Sequence, residues 1–140
     1  MVTDGIDRAQ GGPRYRLSGI NPDVDSASSV ARRTGTIIHT IFTRGVGRLG
    51  HNFWEITNGQ NGIAKLSSET GGESFYLETQ NPVSFKPYLD DLQRILENQY
   101  MLEFQAIPGK KPGPQYVKLS TEVAGVELDS ADSVWVPAAK

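Results

Sequence analysis

One run, Thr36-Ile37-Ile38-His39-Thr40-Ile41-Phe42, constrains this chain more than any other segment. Its residues are mostly β-branched or apolar, and both faces are apolar when it is read with the two-residue period of a strand. A strand with one wet face would alternate. This one reads instead as the central strand of a parallel sheet, covered on both sides. Parallel neighbours are joined by crossovers, usually helices, so the flanking sequence should supply helices and further strands.

It does. Met1-Val2-Thr3 is a short apolar run that meets the turn signal Asp4-Gly5, and it looks like a strand cut short at its beginning. Residues 5–22 read as a polar loop. Asp25 or Ser26 can cap a helix through about Arg33, with Val30 and Ala31 inward and Gly35 ending it. Beyond the central strand, 43–60 is rich in Gly and Asn and reads as a second long loop. Residues 61–70 form a helix with Ile63, Ala64 and Leu66 packing, closed by Gly71-Gly72. Residues 73–77 form a third strand. From Ser84 to about Gln99, Phe85, Tyr88, Leu89, Leu92, Ile95 and Leu96 recur at helical spacing, with Pro87 in the first turn where a missing N–H costs little.

The period then changes to two. Tyr100, Leu102, Phe104 and Ala106 alternate with polar residues, as do Val117, Leu119, Thr121 and Val123, and the turn-rich stretch 108–114 lies between them. This predicts an antiparallel hairpin, with Val134-Trp135-Val136 as a last strand. The expected fold is therefore α/β. Residues 1–98 form part of a Rossmann-like parallel sheet with flanking helices, and residues 99–140 form a small antiparallel β annex. With so few parallel strands, an unpaired edge is expected at residues 1–4 or 36–42, inviting aggregation or dimerisation.

Composition excludes several function classes. Of 140 residues, 14 are basic and 16 acidic, a net charge of −2 that gives no electrostatic basis for binding nucleic acid or a membrane surface. There is no cysteine, hence no disulfide and no thiolate metal site. No stretch approaches the roughly 20 apolar residues of a membrane span. Residues 1–20 hold Asp4, Asp7, Arg8, Arg14 and Arg16 around no apolar core, so any export signal is expected upstream.

Several segments together resemble one family. Met1-Val2-Thr3-Asp4-Gly5 is similar to the strand and T-D-G turn of von Willebrand factor A-type (VWFA) domains. Asn58–Leu66 running into Glu69-Thr70-Gly71-Gly72-Glu73-Ser74-Phe75-Tyr76 resembles their T-G-G-x-x-F helix and strand. Pro87-Tyr88-Leu89-Asp90-Asp91-Leu92 and Asn98–Phe104 resemble the closing helix and first annex strand of the VWFA-related domain first described in acidobacteria. The resemblance implies the C-terminal half of such a domain: an extracytoplasmic, non-enzymatic protein-binding module. A divalent cation (Mg²⁺, Ca²⁺ or Mn²⁺) at a metal-ion-dependent adhesion site would coordinate an acidic side chain of the partner. It implies Asp4 as one metal ligand. The other motifs, D-x-S-x-S and a Thr, belong to the absent half, so no cation is expected on this chain alone. Asp23-Val24-Asp25-Ser26-Ala27-Ser28 echoes D-x-S-x-S but fits no register, and reads as a helix cap.

Ligands of open parallel sheets meet the loops at the carboxyl ends of strands. Those loops carry Arg8, Arg14, Arg16, Arg44, Arg48, His51, Asn52 and Trp54. Arg44, Arg48, His51 and Trp54 are the candidate partner-binding residues, a basic rim suited to an acidic surface; the alternative is that the arginines are solvated loop charges. Gly45-Val46-Gly47-Arg48-Leu49-Gly50 spells the dinucleotide fingerprint, yet that mechanism needs a helix opening at the glycines. Asn52, Asn58-Gly59 and Asn61-Gly62 read as loop, so dinucleotide binding ranks behind both protein binding and a purely structural role. His39 and His51 have no partner at a catalytic or zinc spacing. Asp90 and Asp91 read as helix-dipole partners, not a catalytic pair.

Overall fold

The computed structural model describes residues 1–3, 22–43, 53–77 and 84–139. Among them the order is β1 (Val2–Thr3), α1 (Pro22–Thr34), β2 (Thr40–Phe42), α2 (Phe53–Thr70), β3 (Ser74–Tyr76), α3 (Lys86–Glu97), β4 (Gly113–Tyr116) and β5 (Ser133–Val136). Strands β1, β2 and β3 form a parallel sheet in that order, and β4 and β5 form a separate antiparallel pair. The chain is α/β, with the apolar run in the middle of its sheet as expected.

Strand β2 is shorter than the run that marks it. Val2 pairs with Ile41 and Thr3 with Phe42, while Thr40, Ile41 and Phe42 pair with Ser74, Phe75 and Tyr76. Ahead of Thr40 the ladder has no neighbour left: Met1 caps one side, its ammonium donating to the His39 carbonyl at 2.7 Å, and Glu73 closes the other through Thr40 N–H to its carbonyl at 2.9 Å. The 40–42 strand therefore has a neighbour on each side, and among the described residues the edge strands of the sheet are β1 and β3, not 36–42.

Side-chain alternation assigns the layers. Thr40 bonds Ser67 of α2 and Phe42 is buried, so this face carries α1 and α2. Ile41 and Phe75 point the other way, where the Phe75 ring meets Tyr88 of α3 edge-on at 6.2 Å. Among the described residues the apolar core is Ala31, Ile41, Phe42, Ile63, Leu66, Leu77 and Val136, and buried hydroxyls of Ser28, Thr40, Ser67, Thr70 and Ser133 complete it.

Helix α1 opens at Pro22, ahead of the anticipated cap at Asp25 or Ser26. Proline suits a first turn, and Asp23 and Asp25 lie there against the helix dipole, with Arg32 and Arg33 at the far end. Helix α2 departs more from expectation. It begins at Phe53, so Asn58-Gly59-Gln60-Asn61-Gly62 is helix and not loop. Packing outweighs poor local propensity here: Gly59 is buried, and a Cβ on Gly62 would sit 3.4 Å from Val24 Cγ2 of α1. Gly62 therefore lies on the side of α2 that faces α1.

Both helices end alike. Gly35 (φ +66°) and Gly71 (φ +76°) adopt the left-handed conformation, and Thr36 and Gly72 donate back to Ala31 and Ser67 at 2.9 and 2.8 Å. These are Schellman ends. Gly71 has a second constraint, since a Cβ there would lie 2.5 Å from Ala131 N of the annex. A Cβ on Gly72 would run into the Ile38 carbonyl. The T-G-G segment thus joins helix, sheet and annex at one point.

Helix α3 has Pro87 in its first turn, as read from the sequence, but none of its residues is fully buried, and Leu89 and Leu96 stand about half exposed. The annex differs in pairing. Tyr100–Ala106 and Val117–Val123 do not form the expected hairpin; Gly113–Tyr116 pairs with Ser133–Val136, and Tyr100 and Met101 lie 92% and 86% exposed. Both candidate strands alternate, so local pattern cannot choose the partner. The chosen pair docks on α1: Arg32 donates to Ser133 Oγ at 3.1 Å, and the Arg33 guanidinium lies 5.1 Å over the Trp135 ring. Pro114 fits within β4 because it occupies a non-hydrogen-bonded position, its nitrogen turned away from β5.

Candidate functional site

The carboxyl ends of β1, β2 and β3 lead into residues 4–21, 44–52 and 78–83. Asp4, Arg44, Arg48 and His51 therefore lie outside the described residues. What is described is their anchorage. Thr43 N–H donates to the Thr3 carbonyl at 2.9 Å and Leu77 N–H to the Phe42 carbonyl at 3.2 Å, so the chain enters Asp4 and Arg44 from adjacent, parallel strand ends. Trp54 belongs to the first turn of α2 and not to a loop. Helix α2 also opens soon after Gly50, which removes one ground for setting the glycine-rich segment aside.

The described residues do not by themselves make a metal centre. Among them no group of three or more His, Asp or Glu is placed to hold an ion, and a hard cation needs several oxygen ligands. Asp25 and Ser28, from the D-x-S-x-S echo, are spent within the helix pair. Lys65 Nζ meets Asp25 at 2.6 Å and Glu69 at 3.8 Å, while Glu69 accepts from the buried Ser28 hydroxyl and lies 3.8 Å from Arg32. The hydrogen bond to Asp25 raises the Lys65 pKa most, with the charges of Asp25 and Glu69 adding to it. This network carries α1, α2 and, through Arg32, the annex. Sequence reading missed it because the links that join α1 to α2 and to the annex connect residues more than 30 positions apart.

His39 directly precedes β2. Its Nδ1 accepts the Glu73 N–H at 3.1 Å, which places the neutral-state proton on Nε2, a buried atom with no partner among the described residues. Burial holds its pKa below the usual histidine value, the Met1 ammonium adds to this, and Glu73 opposes it.

A second feature had no signal in the sequence. A cavity of about 530 Å³ separates the outer edge of β3 from the annex. Ser67, Ser68, Ser74 and Tyr76 line one side; Lys118, Asp129, Ser130 and Asp132 line the other, with Glu73 at the start of the strand. None of Glu73, Lys118, Asp129 or Asp132 enters an ion pair among the described residues.

Comparison with family models, curated proteins and solved structures returns no match. No helix among the described residues is long and apolar enough to cross a membrane.

Proposed function

We propose that this chain is part of a VWFA-type module that binds a protein partner through the carboxyl end of its parallel sheet and performs no chemistry. The observation that carries the reading is the placement of Thr3: it ends a strand parallel to the central strand and accepts a hydrogen bond from Thr43 N–H, so two neighbouring strands end side by side at the residues that precede Asp4 and Arg44 in the sequence. That is where open parallel sheets receive ligands. In the intact domain Asp4 would be one ligand of a divalent cation that accepts a partner carboxylate, with the remaining ligands from segments outside this chain. Exposed apolar side chains running from Leu89 and Leu96 of α3 into Tyr100 and Met101 also suit a surface that further protein covers.

Calorimetry tests the proposal. The chain alone should give no saturable heat with Mg²⁺ or Mn²⁺, whereas a longer protein carrying a D-x-S-x-S segment ahead of it should bind the ion and lose it on Asp4→Ala. Unchanged ion binding by the Asp4→Ala variant would sink the proposal. The start of α2 at Phe53 gives the dinucleotide reading one supporting observation, and tight NAD binding by the 140-residue chain would favour it instead.

A further inference from the structure

Among the described residues, strand β3 is an edge whose outward backbone groups have no partner. Its inward groups are identified by the ladder: Thr40 N–H donates to Glu73 C=O, and Leu77 N–H to Phe42 C=O. By strand alternation residues 73, 75 and 77 bond toward β2, and Ser74 and Tyr76 turn their N–H and C=O outward. No backbone hydrogen bond from Ser74 or Tyr76 to the annex exists among the described residues, although the annex stands across from them. Edges left open in this way are usually blunted by a charge, a proline or a covering element. Here the edge is instead faced by a cavity with a second wall. Its charged lining is three carboxylates, Glu73, Asp129 and Asp132, against Lys118, and none of the four enters an ion pair among the described residues.

We propose that this cavity is a slot for an extended peptide of a partner protein, which adds to the β3 edge by pairing its backbone with Ser74 and Tyr76 and carries basic side chains toward Asp129 and Asp132. Main-chain pairing at an open edge supplies affinity, and the charge of the walls selects the sequence. The annex has a role in this arrangement: it is the wall that makes the edge a slot. Gly71 against Ala131, Arg32 against Ser133 and Arg33 over Trp135 fix that wall in place. The site stands apart from Asp4 and requires no cation.

The test uses the 140-residue chain and capped, fluorescein-labelled peptides of alternating Lys and Val, read by anisotropy at low ionic strength. The Lys–Val peptide should bind saturably and at least about tenfold more tightly than a Glu–Val peptide. N-methylation of its alternate amides, which keeps the charge and removes the pairing, should abolish binding. Amide exchange at Ser74 and Tyr76 should slow in the complex. The double variant Asp129→Lys, Asp132→Lys should reverse the peptide preference, and EDTA or Asp4→Ala should leave binding unchanged, which separates this slot from the cation-dependent surface. Equal binding of the N-methylated peptide, equal binding of Glu–Val, or no binding of Lys–Val would each overturn the proposal.

Discussion

The hydroxyls of Thr40 on β2 and Ser67 on α2 are hydrogen-bonded at 3.0 Å, and both residues are buried. Thr40 Oγ1 also lies 2.9 Å from Ser74 Oγ on β3. A hydroxyl can donate once and accept twice, so Thr40 is the hub through which helix, central strand and edge strand satisfy each other. Thr40→Val keeps the shape and strands Ser67. An unsatisfied buried hydroxyl costs about 1–3 kcal/mol, and urea unfolding should show a loss of that size. The double variant Thr40→Val, Ser67→Ala should lose less than the sum of the single variants, because it removes both partners. Strict additivity would mean that the pair is not coupled.

Part of this architecture is legible in the sequence, and the limits have physical causes. The run ending in Phe42 announces a central parallel strand because both faces are apolar. Helix α3 is announced by Pro87 and a 3–4 residue spacing. The first half of α2 is hidden because Asn58-Gly59 and Asn61-Gly62 read locally as loop, whereas α2 packs against α1, a tertiary contact that local propensity does not record. The annex pairing is hidden because residues 100–106 and 117–123 alternate as well as the true strands do. What selects Ser133–Val136 is its docking to Arg32 and Arg33, which no local pattern records. The Ser74–Tyr76 edge facing Asp129 and Asp132 joins residues more than 50 positions apart.

Glycine substitutions separate backbone conformation from packing. Gly71 and Gly125 both have positive φ, +76° and +78°, but a Cβ at Gly125 meets nothing within 4 Å, whereas one at Gly71 meets the Ala131 backbone. Gly125→Ala should cost about 1–2 kcal/mol, the left-handed penalty alone. Gly71→Ala adds overpacking of about 1–3 kcal/mol. Thermal unfolding of the two variants should therefore rank Gly71→Ala as clearly the worse. Equal losses would show that the annex does not press on Gly71.

His39 predicts a pH dependence of stability. Its pKa is lowered in the folded chain by burial and by the Met1 ammonium, so between that depressed value and about 6.5, the unfolded value, the unfolded state binds more protons. Stability then rises with pH across this interval. It is fully present above about 6.5 and declines as the pH falls toward the depressed folded value. His39→Asn retains an acceptor for the Glu73 N–H and carries no proton. Urea midpoints taken between about pH 5 and pH 8 should slope upward for the native chain and flatten over that interval for the variant. An unchanged slope would assign the dependence to other groups.

The remaining edge, β1, bears on self-association. The carbonyls of Met1 and Thr3 accept from Ile41 and Thr43 at 2.8 and 2.9 Å, so Val2 is the residue whose N–H and C=O turn outward, and the residue is 58% exposed. Exposed edge strands recruit further strands. The chain should therefore dimerise or aggregate with rising concentration, seen as an earlier and broader peak in size-exclusion chromatography. Val2→Pro removes only an outward donor, leaves the bonds to β2 intact, and places proline where an edge strand tolerates it. It should restore a monomeric peak without lowering the thermal midpoint. The comparison Leu89→Lys on α3 leaves β1 untouched and tests the other exposed apolar surface. Self-association that survives Val2→Pro but disappears with Leu89→Lys would move the contact from the sheet edge to the helix.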